Sequence, residues 1–597
     1  MMTDTQKLKT ISGGQWLISP VANTKVFCRE TFSEDHQDID AMIQEFVKDR
    51  ILPNVEAIDK LDKDLSLKLL RETGELGLIG VDTPEEYGGN DLDKITSCIV
   101  SEGMGRGGSP SFSCTFSVQT GIGSMGIVFF GTPKQKEKYL PKLMTGEWVA
   151  AYALTEPTAG SDALSGKTTA ILSEDGKHYI LNGDKQFISN GSWADVFTVL
   201  AQVDGDKFSG FIVDRNTEGF EVGAEEKKMG MKGSSTTPLK FTNAKVPVGN
   251  LLYKVGKGAA IAFNALNVGR YKLAAACIGG SKVGLEHAVK YALERRQFGQ
   301  PIAHFDSIKG KIADMAVRVY AADSMLYRTV GLIQNAIDNL DKSDPEYYKK
   351  MAEATEQFAI EASMAKVFGS ETSNIVVDEA LQIHGGYGFT EEYPLARAYR
   401  DDRINRIWEG TNEINRMIVT GYMMKKVLME EISLRDYLKG VDDFLATETP
   451  DIEADLFLSE KSAVESAKRL ASMVFHEALC EYGQDLKHEQ QLSEALADIF
   501  TYIYTAGSVI SRARQSQSSN GISNMSSVIA RIFTAESLLE VKSLSNICLN
   551  KIFMETIPED FKDKVVQLES RMTLNTDTIS LKQSLADFMF SKNNYPF

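Results

Sequence analysis

Long apolar runs are missing from this chain. No stretch of 18 or more apolar residues is read in it, so the expectation is that nothing spans a membrane. Cysteine is sparse: Cys28, Cys98, Cys114, Cys277, Cys480 and Cys548 stand apart, with no C-x-x-C pair. That argues against a zinc ribbon or a disulfide scaffold, points to no metal, and fits a reducing compartment. Basic residues are outnumbered, 65 against 82, and the net charge of -17 argues against a nucleic-acid partner or an anionic surface target. The start, Met1 to Gly14, lacks both an apolar signal core and an arginine-rich amphipathic pattern, so the expected location is cytoplasmic. No internal repeat or low-complexity tract is seen.

What is present is the composition of an ordinary globular protein, 43% hydrophobic and 25% charged, in a chain too long for one core. The pattern divides it into an N-terminal arm (1–31), an N-terminal helical domain (32–149), a middle β domain (150–259), a helical bundle domain (260–425), an acidic linker (426–455) and a C-terminal helical domain (456–597). The fold class is α+β, mainly α. Ile39, Met42, Ile43, Phe46 and Val47 recur at helical spacing, and Leu65, Leu69 and Leu70 continue it. Phe197-Thr-Val-Leu-Ala, Phe211-Ile-Val and Leu239-Lys-Phe-Thr read as strands, with Asn182-Gly183 and Asp204-Gly205 as tight turns. From Val441 to Glu460 there are seven acidic residues and no basic ones. Beyond them Val464, Ala467, Leu470, Ala471 and Val474 resume an amphipathic helix.

One segment carries the chemistry: Arg403-Ile-Asn-Arg-Ile-Trp-Glu409-Gly410-Thr411-Asn412. It sets a single carboxylate before a glycine, at a loop opening into an apolar-periodic helix. Glycine lets a ligand approach the backbone closely, and a lone carboxylate in such a pocket suits a general base. Alone, a Glu before a loop glycine is a solvated residue. Three further segments fit the same chemistry: Tyr152-Ala-Leu-Thr155-Glu-Pro-Thr-Ala-Gly160-Ser161, Arg295-Arg-Gln-Phe298-Gly299 and Gln382-Ile-His-Gly385-Gly386-Tyr-Gly388.

In this order the segments resemble the acyl-CoA dehydrogenase family, over about Ser33 to Met424. The resemblance implies an FAD-dependent enzyme that converts a saturated, long-chain acyl-CoA to the trans-2-enoyl-CoA and hands its electrons to electron transfer flavoprotein. Glu409 would take the α-proton; the position where other members carry the base is Gly269 here, which cannot act. Leu154, Thr155, Gly160, Ser161, Phe187, Ile188 and Ser189 would hold the flavin, with Phe187 replacing the family's tryptophan. Arginine suits a diphosphate because its fork is planar and permanently charged. Arg295, Phe298, Gln382, Gly385 and Gly386 would meet the FAD tail across a subunit interface, and Thr411 and Asn412 would also touch the cofactor. The family's downstream glutamine is replaced by Asp306, which puts that contact in doubt.

Substrate would be met by Tyr152, Ser161, Asn267, Arg270 and Gly410. Gly123 and Gly126 stand in a stretch read as helical, where glycine costs about 1 kcal/mol against alanine. They match positions that are small in members accepting very long chains. The added C-terminal domain resembles that same branch, which implies a homodimer. Three rivals remain at this level: an acyl-CoA oxidase of the same fold, a non-catalytic scaffold that has kept it, and an anion-binding regulatory protein that senses acyl-CoA.

Overall fold

The computed structural model describes residues 11–21, 25–447, 457–516, 522–554 and 556–597. Capping residues mark the N-terminal helices as local chemistry dictates. Ser33 accepts from the His36 amide to open Glu34–Phe46, Asp62 opens Lys63–Glu75, and Asp93 opens Lys94–Gly105. The stretch Pro110–Phe130 is long and apolar enough, by length and composition, to cross a bilayer, a point that counting unbroken apolar residues overlooks. It is broken at Gly121–Ser124 between the helices Pro110–Thr120 and Met125–Phe130, and it lies almost wholly inside the protein.

The middle region forms an eight-stranded sheet of β1 (Ala150–Ala153), β2 (Thr169–Leu172), β3 (His178–Ser189), β4 (Val196–Val203), β5 (Lys207–Asp214), β6 (Phe220–Val222), β7 (Thr236–Pro247) and β8 (Leu251–Leu252). Its order is β6-β7-β3-β2-β4-β5-β8. β1 and β2 share one edge of β4, pairing in parallel with its two ends. Asp204 and Gly205 make the β4–β5 turn with φ of 53° and 89°, the left-handed pair a tight hairpin needs. Asn182-Gly183 is not a turn: both residues lie inside β3, where the register with β7 shifts after Leu181. A Cβ on Gly183 would come within 2.6 Å of the Thr168 hydroxyl, so the glycine serves close strand approach at a bulge.

The helix Gly258–Glu294 is the axis of the molecule. Its start lies on β5, where a Cβ on Gly258 would strike Phe208 and Ser209. Its middle packs against Ala359–His384, and its later turns against Lys94–Gly105. Gly279 lets the last contact close: a Cβ there would sit 2.1 Å from the Glu102 carbonyl oxygen.

The helix Asn412–Leu428 runs past the start of the stretch 426–455 assigned as an acidic linker. That stretch then holds the short helices Leu434–Lys439 and Val441–Ala446; its remainder, 448–455, lies outside the described residues. The helices Leu458–Tyr482, Gln490–Gln515, Ile522–Phe553, Glu559–Arg571 and Thr578–Lys592 follow. They share one apolar core with the bundle. The N-terminal arm is built into this assembly as well: Trp16 is buried against Phe500 and Tyr504, and the Val26 amide donates to Gln515.

Candidate active site

A cavity of about 1290 Å³ opens where the helix Pro110–Thr120, the β sheet, the helix Gly258–Glu294 and the segment 394–411 meet. Sites for one drug-sized ligand run to about 300–1,000 Å³, so this chamber has room for two occupants. Of the residues singled out in the sequence it gathers Glu409, Gly410, Thr411, Tyr152, Leu154, Thr155, Gly160, Ser161, Phe187, Ile188, Ser189, Gly269 and Arg270 along its wall.

Glu409 sits at the centre. It and Gly410 both have left-handed backbones, φ 56° and 80°, which costs a non-glycine residue roughly 1–3 kcal/mol. Asn415 holds the turn: its Nδ2 donates to the carbonyl oxygens of Glu409 (3.3 Å), Gly410 (2.8 Å) and Thr411 (3.1 Å). Thr411 then caps the helix Asn412–Leu428 through the Ile414 amide. The Glu409 carboxylate lies over Gly269, where a Cβ would stand 2.5 Å from Oε2. The glycine that disqualifies position 269 as a base is therefore what leaves room for the Glu409 carboxylate.

Oε2 of Glu409 is enclosed and has no hydrogen-bond partner, as have the Tyr152 hydroxyl and Arg270 Nε beside it. Burial pushes the Glu409 pKa up to about 7, against the pull of Arg270 and Lys366. A carboxylate without hydrogen bonds, titrating near neutrality inside a cavity, is poised to take a proton from a bound ligand. The single-turnover rate of the reaction this base performs is expected to rise as pH passes upward through about 7 and then level off. A rate independent of pH across that range would remove Glu409 from the step.

The loop after β1 is held rigid from below. Lys185 Nζ, fully buried, donates to Glu156 Oε1 at 2.6 Å and to the Leu154 carbonyl oxygen at 3.2 Å. The Gln186 amide donates to the Thr155 carbonyl oxygen. Phe187 follows at a second register shift of β3, with φ 58° and 61% of its surface exposed. The bulge turns the ring out over the cavity beside Ser189.

Several assigned residues have other places. Asn267 and Asn412 are not on the cavity wall. Asn267 accepts from Arg270 Nη1 at 2.6 Å, and Asn412 is buried among Lys366, Ser370 and Glu371. Gly123 and Gly126 do not line the cavity either, and Gly123 lies in the break between two helices. A Cβ on Gly123 would meet Ala150 at 2.8 Å, and one on Gly126 would meet Ile261 at 3.3 Å. Close packing explains both glycines; Gly121 and Ile122 are the ones that face the cavity.

Arg295, Phe298, Gln382, Gly385 and Gly386 are also absent from this wall. They lie where the hairpin at Arg296–Pro301 and the turn Gly385–Phe389 meet the surface, with Arg295 against the Tyr387 ring. Phe298 is 93% exposed, and space around Gly385 and Gly386 is open. Asp306 opens the helix Asp306–Asp338, where an acid is favoured by the helix dipole. His384 is a packing residue, stacked on Tyr291 with ring centroids 4.0 Å apart. Among the described residues no group of three or more His, Cys, Asp or Glu could hold a metal.

Sequence reading missed Lys366, Asp401 and Lys228. Asp401 accepts from the Met231 amide while its Oδ2 is left unpartnered on the cavity wall, and burial raises it to about 6. Lys228 Nζ donates to Ser234 Oγ and Thr236 Oγ1. For Lys366 a signal existed: a lysine inside the apolar run Met364-Ala365-Lys366-Val367-Phe368 has to be buried with partners or break the helix face.

Known proteins resemble the chain throughout. Three acyl-CoA dehydrogenase domain families match in succession: the N-terminal domain at residues 33–147, the middle domain at 151–244 and the C-terminal domain at 256–424. A further acyl-CoA dehydrogenase C-terminal domain matches 466–555. A probable acyl-CoA dehydrogenase of Bacillus subtilis (strain 168) is 45% identical over 534 residues, 89% of this chain and 90% of its own length. The mitochondrial very long-chain specific acyl-CoA dehydrogenase of Rattus norvegicus is 35% identical over 492 residues, 78% of this chain and 72% of its own. The crystal structure of an acyl-CoA dehydrogenase complexed with FAD from Bacillus anthracis superposes with a TM-score of 0.94 at 40% identity, covering 98% of this chain and 100% of that one.

Proposed function

Since this chain belongs to the acyl-CoA dehydrogenase family, we propose that it is an FAD-dependent enzyme of fatty acid β-oxidation that desaturates long-chain acyl-CoA at the α,β bond, using Glu409 as its base. The observation that carries the reading is the unpartnered Glu409 Oε2 enclosed in the cavity.

The chamber fits a flavin. The Thr155 and Ser189 hydroxyls and the backbone at Gly160 form a polar rim on the sheet side, and Phe187 offers an exposed aromatic face beside them. When bound, FAD supplies the acceptor for the β-hydride. The protein's own part is the proton. Glu409, ionised above pH 7, takes it from the carbon next to the thioester carbonyl. The left-handed turn at Glu409 and Gly410 puts main chain at the cavity wall, and an N–H donated from it to the thioester carbonyl would help stabilise the charge that develops on the oxygen. Tyr152 shares the cavity wall with the carboxylate and lies close to it.

Chain length is read from the rest of the cavity. From Gly269 the wall follows one face of the long helix through Leu273, Ala276, Gly280 and Gly284 to His287, a run of about 27 Å at ~1.5 Å per residue. The small residues Ala276, Gly280 and Gly284 on that face support a long acyl tail, as does the likeness to an enzyme named for very long chains. The residues expected to meet the FAD tail lie on the surface, away from the chamber. That supports a homodimer in which this surface of one protomer meets the cofactor of its partner. Electrons would pass to electron transfer flavoprotein. Six free cysteines support a cytoplasmic setting.

Anaerobic titration of the yellow holoenzyme with palmitoyl-CoA and butyryl-CoA in parallel tests the substrate. Bleaching by palmitoyl-CoA at low stoichiometry, with little by butyryl-CoA, is expected; the reverse order would overturn the long-chain assignment. Peroxide formed during aerobic turnover tests the acceptor: a near-stoichiometric yield would make the enzyme an oxidase.

A further inference from the structure

A buried lysine is expensive, because its ammonium is a compact, strongly hydrated charge. Lys366 is fully buried in the helix Ala359–His384. Its Nζ donates to the Gly410 carbonyl oxygen at 2.8 Å and to Asn412 Oδ1 at 2.7 Å. Both acceptors belong to the turn that carries Glu409, and both are neutral. Asn412 is turned toward the lysine by the rest of the same helix, since its Nδ2 donates to Ser370 Oγ and to Glu371 Oε1. One helix thus grips the catalytic turn through a single cation and one amide.

We propose that Lys366 is the positioning residue of the catalytic base: it fixes the Glu409–Gly410 turn through the Gly410 carbonyl, and it presents to the Glu409 carboxylate the positive charge that favours the ionised, proton-accepting form. The inference rests on Glu409 being the base. The groups that face Glu409 are Arg270 from the long helix, Lys366, Tyr152 from β1 and Cys114 from the helix Pro110–Thr120. Those that face Lys366 are Cys277, Glu409, Arg270, Glu371 and Glu413. Arg270 is tied to Asn267 and lies one residue beyond the glycine beneath the carboxylate, so two cations from two helices flank one acid. Burial holds Lys366 at about 8 and Glu409 at about 7, which leaves a window in which the lysine is charged and the glutamate ionised.

The test separates charge from anchoring. Lys366→Met and Lys366→Gln remove the charge, Lys366→Arg keeps it, and Asn412→Ala removes one anchor while leaving the charge. In the holoenzyme, the carboxyl infrared band that disappears in Glu409→Gln reports the titration of Glu409 without turnover. Its midpoint is expected to move up by about one pH unit in the Met and Gln variants, tenfold in the equilibrium, and to stay in place in the Arg and Asn412→Ala variants. The acid limb of flavin bleaching by palmitoyl-CoA should move with it. Should a variant fail to retain FAD, the same band is read in the apoprotein. An unmoved midpoint in both neutral variants overturns the proposal. Normal bleaching by Glu409→Gln overturns the assignment of the base instead, whatever Lys366 does.

Discussion

Glu409→Gln is expected to bind palmitoyl-CoA close to normally and to bleach its flavin roughly 10²–10⁴-fold more slowly, the contribution of a positioned general base. The backbone explains why binding should survive. The left-handed turn is held through main-chain oxygens by Asn415 and Lys366, so glutamine keeps the fold of the loop and loses only the basic oxygen. The same substitution should stabilise the apoprotein at high pH. Folding raises the Glu409 pKa from 4.5 to about 7. Its burial therefore costs nothing below about pH 4.5, and an increasing amount as pH rises through 7. A shift of that size corresponds to about 3 kcal/mol, an upper figure because the carboxylate is in part open to the cavity. Denaturation should find the variant and the parent equal in acid, and the variant more stable above neutrality. A variant that is less stable at every pH would mean that Glu409 makes bonds the structure lacks.

Asp323→Asn should be the most destabilising single change away from the site. Asp323 is fully buried and accepts from Arg29 and Lys282 at 2.7 Å through Oδ1, and from Arg512 at 2.9 Å through Oδ2. Glu102 shares Lys282 and Arg29 and accepts from the Tyr327 hydroxyl, while Arg512 reaches on to Glu30. These cations hold both buried carboxyls well below the usual range, against the push of burial. Their ionisation thus contributes stability that is present above the ordinary carboxylate pKa of about 4 and is lost as pH falls further. Removing one partner strands buried charge, which costs about 3–5 kcal/mol, on the order of 3 °C in Tm for a chain of this length unfolding as one unit. The network ties the N-terminal segment, the helices Lys94–Gly105, Gly258–Glu294 and Asp306–Asp338, and the C-terminal helix Gln490–Gln515 into one unit. Calorimetry should therefore show the parent and the variant each unfolding in a single transition. A change of less than about 1 °C, under ~1 kcal/mol for a unit of this size, would show the charges to be redundant.

Much of the layout was legible along the chain because it is local. The period-two runs at 197, 211 and 239 became β4, β5 and β7, and Asp204-Gly205 became the hairpin its left-handed backbone favours. Asn182-Gly183 carries the same signal and is a bulge. What decided it was Thr168, on a neighbouring segment fifteen residues before the glycine and pressed against it. Gly123 and Gly126 misled for the same reason: Ala150 and Ile261, which account for them, come from other domains.

The sequence by itself determined the order of helical, β and helical regions, the family, and the carboxylate proposed as the base, because each is written in short-range spacing or in a contiguous motif. The tertiary structure alone decided the electrostatics. That Glu409 is desolvated over Gly269, that Lys366 closes on its turn from 44 positions away, and that Arg512 meets Glu30 across 482 are facts of burial and long-range approach. A single sequence carries no record of which distant residues come within hydrogen-bonding reach.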